Sequence, residues 1–351
     1  MRVSPVLAAI ILPALAVPQA LLAQAEQRSI RGGQVSIYNL AGQVRAMPGT
    51  GDAVTVEITR RGADRDKLRI EAGTLRGRET LRIVYPSDRV VYPELRNRTR
   101  ITMRVREDGT FSDEGWTRDS RDEVEIRASG SGLEAFADMV VRVPRGQKID
   151  LYLGAGRVEV ANVEGDILVD VGAAEVEISG TKGNLTLDPG SGRVAVRDAT
   201  GTLNIDTGSG GVTIDRVKGD VLNIDSGSGG IQASDVDMRD LEADVGSGGL
   251  RFYRTKATNI TVDAGTGGVN LELLSNVENL EVETGSGGAT IRLPATVGAE
   301  LEAETGSGGF STDFEITTRR VSRNHVVGRI GDGKGRIRLE AGSGSIRLLK
   351  M

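Results

Sequence analysis

Apolar and polar residues alternate with a period of two along the second half of the chain. After one glycine-rich turn the apolar positions are Val212 and Ile214, and after the following corner they are Leu222 and Ile224. A period of two puts alternate side chains on opposite faces of a β-strand. Each unit of this pattern therefore predicts two short strands with one apolar face, joined by a glycine corner and by a polar corner such as 216–220.

The glycine corner recurs, and consecutive copies start 18–21 residues apart. One unit cannot bury its apolar stripe alone, whereas stacked units share a continuous core. The chain is therefore predicted to be all-β, a β-solenoid of stacked 18–21-residue coils with glycine-rich corners. The glycines are expected to serve positive φ angles and tight stacking, with a positive φ at Gly210. The clear copies begin at Gly190, Gly208, Gly227, Gly246, Gly265, Gly285 and Gly306, with a late copy at Gly342 and degenerate copies at Gly154 and Gly172.

The chain is predicted to divide into three parts. Residues 1–25 read as a signal peptide, residues 26–150 as an irregular, β-rich N-terminal region, and residues 151–351 as the regular solenoid with a C-terminal capping segment. In the middle part, apolar and polar residues alternate over 54–58 as in a β-strand, and Gly, Pro and Asp residues mark turns between such segments. We expect this region to be a wider, irregular start of the same solenoid.

The first residues have the composition of an export signal. A positively charged start precedes an apolar run over 6–22, and the small-x-small triplet Ala23-Gln24-Ala25 stands before Glu26. An uncleaved membrane anchor is the alternative, but two prolines interrupt the run and about 20 apolar residues are needed to span a bilayer. The mature chain is therefore expected in the periplasm, on the cell surface or outside the cell, without a transmembrane segment.

Composition removes several classes of protein. The 351 residues include no Cys and one His, which excludes a disulfide scaffold, a cysteine nucleophile and a zinc–thiolate site and makes His-based metal sites and triads improbable. The net charge of −5 gives no reason to expect a nucleic-acid partner. No cofactor is expected. Residues 151–315 carry 27 acidic and 11 basic side chains, so the regular solenoid is an acidic rod.

An acidic residue stands two positions before most glycine corners. Stacking would place these carboxylates in a column with a spacing of about 4.8 Å. Such close like charges would favour a shared Ca²⁺, for which Asp206, Asp225, Asp244 and Asp263 are candidates. The alternative, which we favour, is that each carboxylate accepts backbone N–H groups of its own corner. The residues of this carboxylate column are Asp170, Asp188, Asp206, Asp225, Asp244, Asp263, Glu283, Glu304 and Glu340.

A row of arginines occupies alternate positions in the N-terminal region, with Ile101, Met103 and Val105 on the opposite face. The row could clamp an anionic polymer. The favoured alternative is cross-strand pairing with Glu123 and Glu125 on a neighbouring strand. The arginine row is Arg96, Arg98, Arg100, Arg104 and Arg106.

The sequence resembles a family of exported bacterial β-solenoids of unknown function, labelled as candidate adhesins and related to toast-rack-type envelope domains. The resemblance rests on the export signal, the irregular β start, the step over 141–146 and the serial Gly-Ser-Gly-Gly coils, and it covers about residues 30–350. It implies a cell-envelope protein without enzymatic activity. The word adhesin belongs to the family's label, and no catalytic residues come with it.

These observations predict a non-enzymatic, exported envelope protein that acts as an adhesive or structural surface, with an unknown envelope or surface component as its partner. A calcium-binding or polyanion-binding module is the alternative. A polysaccharide-cleaving β-helix enzyme is less favoured, because basic residues are few where the solenoid is most regular. Aromatic residues are also sparse, and alternation directs Phe252 and Phe310 inward.

Overall fold

The computed structural model describes residues 25–95, 100–111, 121–322 and 324–351. The predicted signal peptide up to residue 24, and Arg96 and Arg98 of the arginine row, lie outside the described residues. No helix in the described part is long and apolar enough to cross a membrane. Its only helical element is a 3₁₀ turn at Arg65–Lys67, and all other regular structure is β-strand.

The strands follow one another closely along the chain. The first nine are β1 (Glu26–Ile30), β2 (Gln34–Pro48), β3 (Val54–Arg61), β4 (Arg69–Leu75), β5 (Arg78–Val84), β6 (Arg89–Val91), β7 (Arg100–Arg106), β8 (Arg121–Arg127) and β9 (Phe136–Val143). The next nine are β10 (Gln147–Ala161), β11 (Gly165–Ser179), β12 (Lys182–Ser191), β13 (Val194–Arg197), β14 (Thr200–Thr207), β15 (Val212–Ser226), β16 (Ile231–Val245), β17 (Leu250–Thr255) and β18 (Asn259–Ala264). The last nine are β19 (Val269–Leu273), β20 (Asn279–Thr284), β21 (Ala289–Leu293), β22 (Ala299–Thr305), β23 (Phe310–Thr312), β24 (Ile316–Val321), β25 (His325–Ile330), β26 (Gly335–Ala341) and β27 (Ile346–Lys350).

From β10 to β21, successive coils stack as parallel strands. Leu222 of β15 pairs with Leu241 of β16, and Ile224 pairs with Ala243, so each coil repeats the positions of the one before. The alternating apolar side chains therefore form columns inside the stack, where Leu222 and Ile224 are fully buried. The predicted all-β solenoid is confirmed, and its core is one continuous apolar cluster.

At Gly210 and Gly229 the glycine is required by the distance between coils and not by the φ angle, whereas Gly156 and Gly192 at the same corner combine a close approach with a positive φ. The expectation of a positive φ at Gly210 is wrong, because Gly210 is not among the residues with positive φ. A Cβ atom at Gly210 would instead lie 1.6 Å from the carbonyl oxygen of Gly192, and one at Gly229 would lie 1.8 Å from that of Gly210. The parallel ladder continues through the corner, since Ser228 N donates to Gly208 O at 3.1 Å. Any side chain here would break this contact between backbones.

Left-handed backbone occurs at the other corner, which the sequence pattern did not indicate. One residue per coil there has a φ angle between 52° and 65°, and only one of the six is glycine. Asn and Asp tolerate this region better than other non-glycine residues. The six are Asn162, Gly180, Asp198, Arg216, Asp235 and Arg254.

The N-terminal region joins the same stack. Strand β2 forms a complete coil against β10, with Ile37 beside Leu151 and Val44 beside Val158. On its other side β2 pairs with β5 and β9, and antiparallel strands β4, β3 and β1 close this end. A separate sheet of β6, β8 and β7 packs its apolar face on the first corners.

The C-terminal coils do not stack in sequence order. Strands β26 and β27 pair with β20 and β21 on one side and with β22 and β23 on the other. The coil 335–350 therefore lies between the coil 279–293 and the coil 299–312, although it follows both in the chain. The hairpin of β24 and β25 pairs antiparallel with β22 and covers this end.

We expect Gly210→Ala to lower the free energy of unfolding by roughly 1–3 kcal/mol, because the added methyl group overlaps the backbone of the previous coil. Gly211→Ala is the matched control, since a Cβ there meets only the carbonyl oxygen of Gly230, at 3.8 Å. Guanidinium unfolding of both variants and the wild type measures the difference. Equal stability of the two variants would show that the corner has room for a side chain.

Candidate functional site

The predicted carboxylate column exists as one line of side chains on the outside of the solenoid. Asp225 stands directly beside Asp206 on one side and Asp244 on the other, and Asp244 is followed by Asp263. At the C-terminal end the order is Glu283, Glu340 and Glu304, because coil 335–350 is inserted there. Beyond Asp170, towards the N terminus, the column continues as Tyr152 and Tyr38.

Among the described residues, the expected capping of the glycine corners by the carboxylate column is not found at Asp225 or Asp244. At some corners the carbonyl oxygen accepts a hydrogen bond from the hydroxyl group of the residue that follows the carboxylate. Ser226 Oγ donates to Gly229 O at 3.1 Å, and Thr284 Oγ1 donates to Gly287 O at 2.8 Å. Within the described residues no corner N–H donates to Asp225, and none donates to Asp244.

The carboxylates in the middle of the column are therefore negatively charged groups that no Lys or Arg side chain of the described residues neutralises. Burial, and then the charges of Asp263, Asp225 and Glu242, raise the pKa of Asp244. Partial burial and the charge of Asp206 raise the pKa of Asp188 in the same way. In both groups burial acts first, and the neighbouring carboxylate charges add to it in the same direction.

The polar corner shows the opposite arrangement. Here the exposed column alternates in sign along Asp198, Arg216, Asp235 and Arg254. Arg216 binds Asp198 through two hydrogen bonds of 2.8 and 3.0 Å, and Arg254 Nε donates to Asp235 Oδ1 at 2.7 Å. The Arg216 guanidinium lowers the pKa of Asp198. One corner of each of these coils is thus neutralised within the chain, whereas the middle of the carboxylate column is not.

A groove of about 850 Å³ opens beside the N-terminal end of the carboxylate column, under the turn between β4 and β5. Its floor holds Asp150, which is 1% exposed and accepts hydrogen bonds from Ser36 Oγ at 2.7 Å and Gln34 Nε2 at 2.6 Å. The rings of Tyr38 and Tyr152 stack in parallel, with centroids 4.4 Å apart. The groove was not predicted from the sequence, because the coil 34–48 lacks the glycine motif that marks the others.

The structure does not assemble a ready metal centre. Asp206, Asp225, Asp244 and Asp263 lie one per coil along a line. In the part of the chain that the structure describes, no three His, Cys, Asp or Glu side chains converge closely enough to hold one ion.

Of the described members of the arginine row, Arg100 and Arg104 face acidic partners, whereas Arg106 stands opposite Arg121 in the β7–β8 ladder. Arg100 Nε lies 2.5 Å from Glu125 Oε1, and Arg104 stands opposite Glu123 in the β7–β8 ladder. Arg106 Nη1 donates to Thr110 Oγ1 at 3.0 Å. The opposite face of β7 packs inward, as expected. Binding of a polyanion by this row stays a prediction.

We expect Asp244→Asn to raise the melting temperature at about pH 7, by on the order of 1 °C. A raised pKa in the folded state means that the charge of Asp244 opposes folding above its usual pKa of 3.8. The gain should therefore shrink as salt is added and disappear as the pH falls below 3.8.

Asp198→Asn is the matched control, and its effect should have the opposite sign. The pKa of Asp198 is lowered, so its charge stabilises the fold above its usual pKa, and that contribution is lost as the pH falls through the lowered value. Melting curves from about pH 3 to pH 8 distinguish the two variants. Stabilisation by both, or by neither, would contradict the contrast between the two columns.

We also expect calcium not to control folding, because the core is apolar and no three acidic side chains converge on one ion in the part of the chain that the structure describes. A chelator should shift the melting temperature by less than about 2 °C, whereas a ligand at 100 times its Kd would contribute about 2.7 kcal/mol. A clear drop in the melting temperature with EDTA would favour a calcium site among Asp206, Asp225, Asp244 and Asp263.

The chain is similar to several solved structures and matches one protein family. No curated protein matches it. Among solved structures, it is similar to a candidate cell adhesion protein from Clostridium sporogenes, with 11% identity over 93% of this chain and 99% of the other and a TM-score of 0.19. It is also similar to a candidate lipid-binding protein from Parabacteroides distasonis, with 12% identity over 92% and 96% and a TM-score of 0.39. A candidate adhesin from Bacteroides fragilis shows 10% identity over 93% and 97%, with a TM-score of 0.28. These scores are too low to transfer a function.

The family assignment rests on a match to a family model over most of the chain. The model of the Toastrack DUF4097 family matches residues 34–349, which include the coil of β2, the small sheet and all coils through β27. The resemblance drawn from the export signal, the irregular β start and the serial glycine corners is thereby confirmed, and the chain belongs to the Toastrack family.

Proposed function

We propose that this chain is an exported, non-enzymatic protein of the cell envelope that acts as a structural or adhesive surface. The observation that carries the proposal is the uninterrupted stack of coils. Each outer column presents similar groups at the fixed spacing of the β-ladder, about 4.8 Å. A stiff, repetitive surface suits many simultaneous weak contacts with a repetitive envelope component.

The face of the carboxylate column is the part of this surface whose charged side chains are available to bind a partner. The charged corner around Arg216 and Asp198 is already paired within the chain, as is Arg100 with Glu125. Asp225 and Asp244 are exposed and have no such cation beside them in the described part of the chain. We therefore expect this face to make the contacts, with cationic or hydroxyl-rich groups as partners.

The alternative of a polysaccharide-cleaving enzyme would use the groove beside Asp150. Such a reaction needs an acid and a base with separated pKa values near the bond to be cleaved. Asp150 is buried and held by two hydrogen bonds, which is the environment of a structural carboxylate. Release of reducing ends from envelope glycans by the purified protein would establish the enzyme instead.

A binding experiment tests the proposal directly. Purified mature protein is mixed with isolated bacterial envelopes and sedimented at low and high salt, alongside the triple variant Asp206→Asn/Asp225→Asn/Asp244→Asn. We expect the wild type to sediment with the envelopes at low salt and the triple variant to lose most of this binding while keeping its fold. Equal binding of both would remove the carboxylate column from the proposal.

A second variant, Arg100→Ser/Arg104→Ser, serves as the control for charge in the same assay. Because Arg100 is paired with Glu125, we expect envelope binding close to that of the wild type. If only this variant loses binding, the arginine row is the contact surface and the partner is a polyanion.

Export itself is tested by intact mass. Expressed with its first 25 residues in a bacterial host, the chain should be recovered outside the cytoplasm with Glu26 at its N terminus. Recovery of the full-length chain in the membrane fraction would favour the uncleaved anchor.

A further inference from the structure

The coil 335–350 fills a slot that the rest of the chain forms around it. The slot lies between the coil 279–293 and the coil 299–312, and each wall is the edge of a parallel ladder. Arg336 N donates to Glu278 O at 2.9 Å on one side, and Gly306 N donates to Ala341 O at 2.8 Å on the other. Without the inserted coil, both edges would hold rows of unpaired backbone groups.

The inserted coil matches its slot in apolar surface. Ile337, Leu339, Ile346 and Leu348 are each at most 1% exposed. In the ladder, Ile337 lies between Leu280 and Leu301. An empty slot would therefore expose a continuous apolar floor between two unpaired edges.

One charged position of the inserted coil also fits the slot. Arg338 stands between Glu281 and Glu302 in the ladder, and its Nη1 lies 3.1 Å from Glu281 Oε1. If the coil 299–312 stacked directly on the coil 279–293, Glu281 and Glu302 would face each other. At this position the charge therefore favours insertion over sequential stacking, whereas Glu340, between Glu283 and Glu304, continues the carboxylate column.

The segments that form the slot all precede the inserted coil in the sequence. Both walls and the covering hairpin are complete by residue 330, and the inserting coil follows only after the turn at 331–334. That turn contains Gly331 and Gly333, both with positive φ, so it has the backbone freedom of a hinge. In the described strand pairings, β22 and β23 join the stack only through β26 and β27, so the slot is completed when a coil 335–350 pairs with both walls. An in-register copy of that coil from a second chain would make the same pairings.

We propose that the C-terminal coil 335–350 is an exchangeable strand, and that the slot accepts the same coil from a second copy of this chain. Exchange would link neighbouring molecules by strand addition with every native contact retained. This interface contains only the C-terminal end of the carboxylate column, Glu283, Glu340 and Glu304. The envelope-binding test uses Asp206, Asp225 and Asp244 instead, so the two proposals can fail independently.

The absence of cysteine in the chain makes a covalent test possible. Thr290 and Arg347 are neighbours in the β21–β27 ladder and lie on its outer face. Neighbouring Cα atoms in a ladder are about 4.8 Å apart, within the range of about 4.4–6.8 Å that a disulfide spans. The single variants Thr290→Cys and Arg347→Cys are unfolded together, refolded as a mixture at increasing protein concentration and oxidised.

We expect a disulfide-linked heterodimer of the two variants, seen as a band of doubled mass on a non-reducing gel, with a yield that rises with concentration. The mixture of Thr213→Cys with Arg347→Cys is the control, because Thr213 lies on the same face but several coils away. The double variant Thr290→Cys/Arg347→Cys, refolded dilute, should form the disulfide within one chain.

Two results would overturn the proposal. One is a heterodimer yield no greater than that of the control mixture at every concentration, while the double variant closes its internal disulfide. The other is failure of the double variant to form that disulfide when it folds to the same strand content, since this would place the C-terminal coil elsewhere.

Discussion

The contact between stacked backbones at the glycine corner is the constraint on which the rest of this fold depends. Coils in a parallel ladder lie about 4.8 Å apart, and this spacing is kept around the turn as well as along the strands. The carbonyl oxygen of Gly192 then occupies the place where a Cβ of Gly210 would stand. Because the corner is this tight, each coil repeats its neighbour in register, and the alternating apolar residues form one continuous core.

Register has an electrostatic consequence, because it turns a sequence repeat into columns of like residues. At the polar corner the repeat alternates in sign, so Asp198 and Arg216 neutralise each other. Two positions before the glycine corner the repeat is acidic in most coils, and stacking brings Asp225, Asp244 and Asp263 together. Burial, and then the charges of its neighbours in this column, raise the pKa of Asp244. A charge pattern that opposes folding is consistent with a role at the surface, which is the basis of the proposed function.

The sequence predicted the features that depend on the local, periodic pattern of residues, namely which side chains enter the core and which share a strand face. The period of two placed Leu222 and Ile224 in the core, and parity placed Arg100 on the face where Glu125 lies. It did not predict positive φ at Arg216, because no glycine marks that position. Nor did it predict the hydrogen bonds at the corners, where the buried Ser226 hydroxyl donates to the carbonyl oxygen of Gly229, a partner that a carboxylate cannot take because it only accepts.

The order of the coils could not be predicted from the repeat. The gap between the copies at Gly306 and Gly342 showed an irregularity, but the pairing of coil 335–350 with two earlier coils depends on contacts between distant segments. The buried group around Asp150 was missed for a similar reason, since Ser36 and Asp150 are 114 residues apart in the chain. Periodicity predicts contacts between successive repeats, whereas both of these features depend on contacts between segments that are far apart in the sequence.

Hydrogen exchange resolved to single amides tests most directly whether stacking is continuous through the corners and through the C-terminal coil. The amide of Ile346 donates to Gly309 O at 2.9 Å, inside the stack, and that of Ser228 donates across a corner. We predict that both exchange as slowly as the amide of Ile224 in a central coil. Rapid exchange at Ile346, with slow exchange at Ile224, would show that the last coil is a loose end and would contradict continuous stacking through the C-terminal coil.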